Sequence, residues 1–568
     1  MVVMKKDTKK KSSRQQSIMQ LLLLLIILVL SNILAGYLFT RIDMTQEKRY
    51  SLSSSSVELA KKLDDVVYFR IYLDGDLPPG LIRLRNSMKE MLDEFRVYAG
   101  DNIEYEFVDP SANPDETERV NLYKQLSQKG LYPTNLEENQ KSGQSQKIIF
   151  PGALVNYRSY EVPMQLLKSK LGSSSEEMLN SSVESLEYEI CSMIRKLTTE
   201  RTQRVGFLQG QKELSTMQIA DAANALGEFY KVDTIEIDEQ LNALKDFKAI
   251  IIAGPDTAFT EKDKFILDQF VMHGGRVLWL VDQMQISMDS LEASSTNVAI
   301  PKNLNIDDML FRYGVRINTD LVMDMQAAPI PIVTGFVGNQ PKQEVFPWYY
   351  FPLISTDIKS PLVHNLNMIK LEFASTIDTI ETDSVSKTVL LSTSKLSRFQ
   401  LAPARVSLNI LRDKPEPSIF NKRNLITGVL LEGKFTSAYK GRIPAQVAGS
   451  PEINYKERSE ATKMIVVSDA NIIENFISKK GKIFPLGYDR ITQQTYGNRN
   501  FILNCVDYLC DNKAVLELRG KEFRIRLLDQ AKIENPLWIQ WLNLLLPPVL
   551  IIVFGLIFNY RRKKKFVL

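Results

Sequence analysis

Two long apolar stretches stand near the two ends of the chain and enclose everything else. The first, residues 18–39, contains no charged side chain and would form a helix of about 33 Å, enough to cross a hydrocarbon core of about 30 Å. The second, residues 537–558, has the same length and carries Pro547 and Pro548 near its middle, where proline favours a kink or a break. A membrane tolerates such a break when a neighbour satisfies the freed backbone groups, so we expect this segment either to pack against a partner or to stand as a lone kinked helix. The pattern predicts two transmembrane helices.

Basic residues flank both stretches. Residues 1–17 carry six Lys or Arg against one Asp, and residues 559–568 carry five Lys or Arg. Cytoplasmic tails hold such an excess, so both termini are expected inside and the intervening chain outside. A cleaved signal peptide is the alternative for residues 18–39, but its apolar region would span only about 7–15 residues and end at a small-x-small site, which the sequence around Ala35 does not offer. We therefore expect a retained anchor.

Charge and cysteine content narrow the function classes. The chain has a formal charge of +4 and a pI near 8.6. The two tails together carry more positive charge than this total, so the chain between them is acidic. The high pI thus reflects topology and gives no support for nucleic-acid binding. The chain has three cysteines, Cys191, Cys505 and Cys510, so a disulfide framework is not expected. We interpret these cysteines as structural thiols.

Residues 45–172 read as a small domain with the order strand, helix, strand. A β-branched and aromatic run at 66–73 predicts a strand, periodicity at 81–99 predicts an amphipathic helix, and alternation at 103–108 predicts a second strand. A hairpin over 147–163 would complete the domain. This order suggests a βαβ unit of thioredoxin-like type, although the sequence lacks a Cys-x-x-Cys motif and leaves a redox role unsupported.

A linking helix and a larger domain follow. Residues 173–203 are interpreted as a linker formed by one long helix (173–197) with a serine cap. From 204 to 515, continuous apolar strands alternate with helices, which is typical of a doubly wound parallel sheet, and 295–460 supplies β-rich insertions. Residues 516–536 would form a membrane-proximal segment. The strands predicted for the sheet are 204–210, 233–237, 249–255, 276–282, 387–394, 428–433 and 463–470, with helices at 217–230, 260–272 and 498–510.

Gly206 and Gly210, at the end of the first strand of the large domain, invite comparison with phosphate-binding loops. The local sequence Gly-Phe-Leu-Gln-Gly matches neither G-x-G-x-x-G nor G-x-x-x-x-G-K-[ST]. We interpret both glycines as residues that permit a tight strand-to-helix turn, and no nucleotide site is predicted.

The doubly wound core resembles that of class I glutamine amidotransferases, whose chemistry needs a cysteine at a strand end and a histidine base. The strand 276–282 is followed by Gln-Met-Gln without a cysteine, and the chain contains only two histidines, His273 and His364. His273 is expected at a helix C-terminus, where it would interact with the helix dipole. The sequence therefore predicts neither a catalytic dyad nor a His/Cys metal site.

Two acidic pairs, Asp307 with Asp308 and Asp320 with Asp324, have the side chains that glycosidases and divalent cations use. Acids are common on solvated surfaces, and neither pair is dense enough to mark a calcium loop, so structural or solvation roles are favoured. No catalytic residue, metal ligand or cofactor-binding residue is predicted.

The most unusual composition outside the apolar stretches lies between residues 346 and 352. Aromatic side chains stack on sugars and anchor protein interfaces. The candidate ligand or partner surface consists of Phe346, Trp348, Tyr349, Tyr350 and Phe351. The alternative is a segment buried against the sheet.

Six stretches, spread in order over nearly the whole chain, resemble the gliding-motility-associated auxiliary proteins of ABC transporters, the GldG type. They are RYSLS at 49–53, YLDGDLP at 72–78, VGFLQG at 205–210, LDQFVMHGG at 267–275, DDMLFRYGVR at 307–316 and GNRNF at 497–501. The two-span layout is similar as well. The fold that we expect is α/β: two transmembrane helices flank a periplasmic βαβ domain and a larger, non-catalytic, amidotransferase-like domain with β-rich insertions.

The resemblance implies an inner-membrane protein that works with a GldF-type permease and a GldA-type ATPase, without a cofactor. Pro547 and Pro548 then become a candidate permease contact, and a homodimer within the complex is left open. Members of this family are commonly labelled substrate-binding components. Two membrane anchors would instead make this chain a fixed subunit that transmits motion.

Three other functions stay open at this point. The first is a solute receptor with a pocket between the two outside domains. The second is a structural scaffold of the gliding or envelope machinery. The third, less favoured, is an envelope polysaccharide hydrolase, which would need paired carboxylates facing one cleft.

Overall fold

The fold is known from a computed structural model of the 568-residue chain. It describes residues 18–32, 51–140, 143–168, 174–198, 202–337, 340–356, 360–364, 366–382, 384–412, 416–444, 449, 453–510 and 536–566. The chain divides into two compact units, residues 1–521 and 522–568, and its fold class is mixed α/β.

The N-terminal apolar stretch forms helix α1, Ile18–Asn32, whose residues are all exposed. This described part is shorter than the roughly 20 residues that a bilayer-spanning helix needs. The rest of the predicted span, 33–39, lies outside the described residues.

The part of the chain that follows is built on a four-stranded sheet. Its elements are α2 (Ser54–Lys61), β1 (Val67–Ile71), α3 (Pro79–Ala99), β2 (Ile103–Phe107), α4 (Glu116–Gln128), β3 (Thr134–Gln140), β4 (Gly143–Ile149), β5 (Gly152–Tyr157) and β6 (Tyr160–Gln165). The strand order is β2-β1-β5-β6, with β1 parallel to β2 and the other neighbours antiparallel, while β3 pairs with β4. The predicted order of strand, helix and parallel strand is found. The assignment of this part to the thioredoxin-like class stays a prediction.

Local sequence explains why these helices form. The Ser53 hydroxyl accepts the Ser56 N–H at 3.1 Å and so caps α2. In α3, apolar side chains recur every three or four residues, and Leu84, Met88 and Leu92 are completely buried in the core of this part.

The single linking helix predicted over 173–197 is wrong, because the structure has two helices, α5 (Ser175–Glu184) and α6 (Leu186–Thr198). The expected serine cap is present, since Ser174 and Glu177 form a capping box. Serine hydroxyls explain the break. Ser182 and Ser185 both donate to carbonyl oxygens of the preceding turn, a competition with the backbone that bends helices.

The larger part of the first unit has many more elements. They are β7 (Arg204–Gln209), α7 (Ala220–Gly227), β8 (Lys231–Glu236), β9 (Ala249–Ala253), α8 (Glu261–Met272), β10 (Arg276–Leu280), β11 (Met284–Gln285), α9 (Met288–Ala293), β12 (Thr296–Pro301), α10 (Asp307–Tyr313), β13 (Val315–Ile317), β14 (Asp320–Asp324), β15 (Ala327–Val337), β16 (Gln340–Ile354), β17 (Ile369–Lys370), β18 (Ile377–Thr379), β19 (Val385–Ser392), β20 (Ser397–Leu401), β21 (Ala404–Ser407), β22 (Ile426–Thr436), β23 (Arg458–Val467), β24 (Tyr488–Asp489), β25 (Gln494–Thr495) and α11 (Asn498–Leu509).

A seven-stranded sheet organises these elements, with the order β19-β22-β23-β10-β9-β7-β8. Five neighbouring strands, from β23 to β8, run parallel, and β22 and β19 continue the sheet antiparallel. All seven strands predicted from continuous apolar runs overlap strands of this sheet.

Both faces of the sheet are covered, which explains why its strands are apolar throughout. On one face, Ile251 of β9 packs in a cluster that includes Leu226 of α7 and Phe501 of α11. On the other face, Ile250 and Ile252 pack in a cluster with residues of α8 and α10. Cys505 and Cys510 are buried in the first cluster, as expected for structural thiols.

Between β10 and β23 the chain forms smaller sheets, and the longest of these is a ribbon of β15 and β16. β16 also pairs with β17, whereas β15, among the residues that the structure describes, pairs with β16 alone and forms the sheet edge. Within the ribbon Pro329 lies opposite Pro347, and Pro331 lies opposite Val345.

The second unit contains helix α12, Pro536–Phe566. The predicted break at Pro547 and Pro548 is absent, because two prolines remove only two of the backbone donors of this 31-residue helix and the turns on either side continue. Among the described residues, one helix is long and apolar enough to cross a membrane, Trp541–Arg561 within α12.

Candidate functional site

Two aspartates lie side by side where neighbouring strands of the parallel sheet end. In the β10–β23 pairing, Leu280 is opposite Val467, and Asp282 and Asp469 each follow two residues later. The Ala470 N–H donates to Asp282 Oδ1 at 2.7 Å, which joins the two strand ends directly. Open α/β sheets place their ligands and reactive groups at the carboxyl ends of the strands, so this pair is the first candidate site.

The environment of the two carboxyls opposes their ionisation. Asp469 is completely buried and accepts the Glu372 N–H at 2.8 Å and the Asn471 N–H at 2.9 Å, whereas Asp282 is half-buried. Burial raises the pKa of Asp469 well above its ordinary value, and the charge of Asp282 raises it further. Burial also raises the pKa of Asp282, against the opposing charge of Lys302. Burial therefore disfavours the charged form of both carboxyls, and the charge of Asp282 disfavours it further at Asp469.

Two lysines moderate the negative charge around this pair. Lys302 Nζ lies 3.0 Å from an oxygen of Asp256, and Lys370 Nζ lies 2.7 Å from an oxygen of Glu372. Burial alone would lower the pKa of Lys370, but the charge and hydrogen bond of Glu372, together with the charges of Asp489 and Asp469, outweigh it, so the pKa is raised and the lysine stays charged. The pair therefore sits in a network of charges rather than in an apolar pocket.

The surroundings of the pair also bear on whether it could bind a metal ion or a substrate. Within the described ranges, no group of three or more His, Cys, Asp or Glu side chains is placed to hold a metal ion. An open cleft of about 930 Å³ is lined by Arg204, Glu228, Lys231 and Asp233, at the opposite end of the sheet. This cleft brings no substrate to the aspartate pair.

A second buried charge cluster lies at that opposite end, where the linking helix α6 meets the large sheet. Arg195 Nη2 lies 2.9 Å from Asp507 Oδ1, and the Tyr230 hydroxyl donates to the same oxygen at 2.5 Å. The Arg195 guanidinium also stacks over the Phe229 ring at 4.2 Å. Burial alone would lower the pKa of Arg195, but the charge and hydrogen bond of Asp507, together with Tyr230 and Tyr188, outweigh it, so the pKa is raised. Burial and then the charge of Asp507 raise the pKa of Tyr230, so the phenol stays protonated.

The linking helix is fixed on both sides by such polar contacts. Toward the N-terminal part, Glu187 Oε1 accepts the Ser53 N–H and the Ser56 hydroxyl, both at 2.6 Å. Toward the large sheet, Lys196 Nζ lies 2.9 Å from Glu228 Oε1, on the same helix as Arg195 of the buried Arg195–Asp507 pair. Helix α6 thus joins the two parts through charged side chains at both of its faces.

The aromatic segment at 346–352 belongs to a core. It lies in β16, where Trp348, Tyr349, Tyr350 and Phe351 are buried in one cluster and Phe346 is half-buried. This burial agrees with the alternative of a segment packed inside the protein. Ligand or partner binding by these residues stays a prediction, and it would require the cluster to open.

The acidic pairs singled out in the sequence have separate hydrogen-bond partners. Asp320 accepts the N–H and the hydroxyl of Thr376 at 2.7 and 2.6 Å, and Asp324 accepts the N–H and the hydroxyl of Ser394 at 2.6 and 2.5 Å. The other pair, 307–308, begins helix α10. These contacts agree with the structural roles favoured for both pairs.

The glycines and the histidine have local roles. Gly206 lies inside β7, where an added Cβ would come within 2.9 Å of the Phe247 ring, so it permits close packing rather than the expected turn. Gly210 follows the strand with φ +127°, a conformation that favours glycine and fits the turn interpretation. His273 caps the C-terminus of α8, as expected, with Nδ1 2.7 Å from the Gln269 carbonyl oxygen.

Sequence reasoning missed both charge clusters. The signal for the aspartate pair was present, since Asp282 is the last residue of one predicted apolar strand and Asp469 the penultimate residue of another, but the pairing of β10 with β23 was not readable. Arg195 and Asp507 stand 312 residues apart and gave no such signal.

Comparison with known proteins assigns this chain to a family. Residues 202–505, more than half of the chain, match the family described as an ABC-type uncharacterized transport system, and residues 46–156 match a domain of unknown function. The chain therefore belongs to this family of ABC transporter auxiliary proteins. That membership points to a non-catalytic accessory part of a transport system.

Other comparisons add little to the family assignment. No curated protein gives a significant match. Among solved structures, the mmIFT52 N-terminal domain is similar at 13% identity, over 54% of this chain and 97% of that domain, and its TM-score of 0.31 is too low to carry an argument.

Proposed function

We propose that this protein is a non-enzymatic subunit of an ABC transport complex of the GldG type, associated with gliding motility. It is anchored in a bacterial inner membrane with both termini in the cytoplasm and the bulk of the chain in the periplasm. A GldF-type permease and a GldA-type ATPase are its partners, and their motion is passed to the part outside the membrane. The match of residues 202–505 to the transport-system family carries this proposal.

The ends of the chain support the membrane part of the proposal. Helix α12 contains an apolar span of sufficient length and continues into Arg561, Arg562 and Lys563–Lys565. A basic run directly after a span favours the cytoplasmic side. The first apolar stretch, 18–39, has the same sequence character and a basic segment before it.

The joint at α6 supports the transmission of motion. A subunit that passes on a movement needs stiff connections, because a flexible linker would absorb the displacement. Helix α6 is held by Glu187 on one side and by the buried Arg195–Asp507 pair on the other. Movement of one of the two joined parts is therefore expected to carry the other with it.

The test is a pull-down in mild detergent from the native membrane, with three versions of the protein. The first is the full-length chain, the second lacks 537–568, and the third keeps the basic tail but replaces 537–558 with an unrelated apolar helix of equal length. We expect permease and ATPase to co-purify with the full-length chain and to be lost from the other two. The third version separates specific contact from simple anchoring.

Each other result points to another function. If permease and ATPase remain with the third version, the second span serves only as an anchor and Pro547 and Pro548 are not contacts. If the protein is recovered alone in every case, the transporter assignment fails. A solute receptor or a scaffold of the envelope machinery would then be the better description.

A further inference from the structure

One face of the β15–β16 ribbon is apolar. Side chains of directly opposed residues on paired strands lie on the same face of a sheet, and alternate residues of each strand share that face. Four opposed pairs make up this surface, which we call the outer face: Pro329–Pro347, Pro331–Val345, Val333–Gln343 and Phe336–Pro341. Seven of these eight side chains are apolar, and the eighth is an uncharged amide.

A β-bulge keeps Phe336 on the outer face. The register of the two strands shifts between Val333 and Gly335, so Thr334 is an inserted residue. Strict alternation after Val333 would instead place Gly335 on the outer face and Phe336 on the opposite one. Bulges redirect side chains in this way, and here the result is a bulky ring in line with Val333.

The outer face is turned away from the core of the inserted region. On the opposite face of the ribbon, Ile330 is buried and Ile332 packs half-buried against the cluster around Trp348. That face also carries an ion pair, with Lys342 Nζ 2.6 Å from Glu344 Oε1. On the outer face, by contrast, the exposed fraction is 51% for Val333, 73% for Phe336 and 53% for Val345. The ribbon is therefore amphipathic, with its uncharged side facing outward.

We propose that the outer face of the ribbon lies against the lipid bilayer in which the chain is anchored. This inference rests on the membrane anchoring that forms part of the proposed function, but it does not depend on a permease or an ATPase.

The size and charge of the face favour lipid over a second copy of the chain. With the exposed fractions above, the face offers roughly 500 Å², which is as large as the biggest apolar patch on an ordinary monomer. It is nevertheless smaller than the area of about 800 Å² that each partner buries in a stable dimer. No charged side chain belongs to the four pairs, so contact with acyl chains does not require a charge to leave water.

Anchoring makes a face of this size sufficient. Helix α12 contains an apolar span of sufficient length, and its insertion holds the rest of the chain close to the bilayer. A second contact then forms at a high effective concentration and needs little free energy of its own. An apolar strip too small to recruit a free protein can therefore stay on the membrane when the protein is already attached.

The experiment uses the full-length protein in vesicles of phosphatidylethanolamine and phosphatidylglycerol. F336C and K342C each receive an environment-sensitive nitrobenzoxadiazole label, and the native cysteines are buried and so protected from it. K342C is the matched control, because it lies opposite Gly335 on the other face of the ribbon. Interfacial segments enter a bilayer by about 5–10 Å, so the label at 336 should show blue-shifted emission and quenching by a lipid with a spin label near its head group. The label at 342 should show neither effect.

A second set of variants tests whether the apolar side chains cause the contact. The label is placed at V345C, and V333S/F336S is combined with it. Quenching should then be lost, whereas K342S/E344S on the opposite face should leave it unchanged. The substituted side chains are all at least partly exposed, and the fluorescence of buried Trp279 checks that the fold is kept.

Four results would overturn the proposal. Equal quenching at 336 and 342 would show that the outer face has no preferred contact with lipid, and quenching at V345C that survives V333S/F336S would show that its apolar side chains are not the cause. A blue shift at 336 that ignores the spin-labelled lipid and disappears on dilution of the protein in the vesicles would assign the face to a second copy. A chain that does not float with the vesicles would remove the anchoring as well. The vesicles contain no permease or ATPase, so a failed pull-down and a failed quenching experiment remain distinguishable.

Discussion

The two ends of the parallel sheet bury charge in opposite ways. At the amino end, Arg195 and Asp507 neutralise each other, and Tyr230 adds a neutral donor. At the carboxyl end, Asp282 and Asp469 bring like groups together, and the charge of Lys302 only partly offsets the cost. The first arrangement pairs opposite charges, whereas burial raises the pKa of both carboxyls in the second, so its charge changes with the concentration of protons.

The difference suggests that the two ends of the sheet have different structural roles. A pair of opposite charges joins the linking helix to the sheet and suits a joint that must stay rigid. A pair of like charges attaches the chain around Glu372 to the end of the sheet, through the hydrogen bond from the Glu372 N–H to Asp469. Burial alone does not tell these roles apart, since Arg195, Asp507 and Asp469 are all buried, and the sign of the partner decides.

The largest effect should come from breaking the amino-end pair. D507A leaves the guanidinium of Arg195 buried without its counter-charge and removes the acceptor of Tyr230, which should lower the free energy of unfolding by about 3–5 kcal/mol. Chemical denaturation in detergent, followed through the fluorescence of buried Trp279, measures this loss. The control is K62A, which breaks an exposed ion pair with Glu58 and should leave stability nearly unchanged.

A triple variant separates charge from packing in the same experiment. R195M/D507L/Y230F removes both charges and the phenol hydroxyl while it keeps apolar volume, so it should recover most of the stability that D507A loses. A triple variant as unstable as D507A would contradict the view that an uncompensated charge is the main cause.

The next effect is the pH dependence at the carboxyl end. The pKa of each carboxyl in this pair is raised by folding, so the folded state binds more protons than the unfolded state above the ordinary aspartate pKa of about 3.9. The stabilisation is complete below that value and is lost as the pH rises through the folded pKa values. We expect the advantage of D282N over the wild type to grow with pH, by at most about 1.4 kcal/mol per pH unit for one proton.

Denaturation of both proteins at several pH values checks this sign. An advantage of D282N that shrinks as the pH rises would contradict a raised pKa. The effect of D507A should be the same at pH 5 and pH 8, which gives the contrast between the two ends of the sheet.

The smallest effect concerns the hydroxyl at the amino end. Y230F removes one donor to Asp507 and leaves the Arg195–Asp507 pair intact, so the loss should be about 1 kcal/mol. Denaturation under the same conditions measures it. A loss as large as that of D507A would show that the hydroxyl, rather than the guanidinium, holds the carboxylate in place.

The sequence was most informative where local pattern decides structure. The runs that became β9 and β10 are apolar throughout because both faces of the sheet are covered, and this was readable without tertiary knowledge. The ribbon of β15 and β16 was not predicted, because prolines such as Pro329 and Pro347 argue against a strand. Its pairing tolerates them only where their missing N–H groups are not needed.

Contacts distant in sequence escaped prediction for a physical reason. The position of Asp282 beside Asp469 depends on the register of two strands that a long insertion separates, and periodicity carries no register. The burial of Trp348 and its neighbours likewise depends on which smaller sheets surround them. Composition alone marked that segment as unusual without saying which side faces water.

The prolines of the β15 edge affect how the molecule behaves among its copies. A sheet edge normally exposes N–H groups that a second chain can pair with, and this is a common start of aggregation. Pro329 and Pro331 stand at alternate positions, opposite Pro347 and Val345. Neither proline has a backbone N–H, so neither of these positions can donate to a strand of a second chain. An edge with such positions resists strand-by-strand association between copies of the molecule.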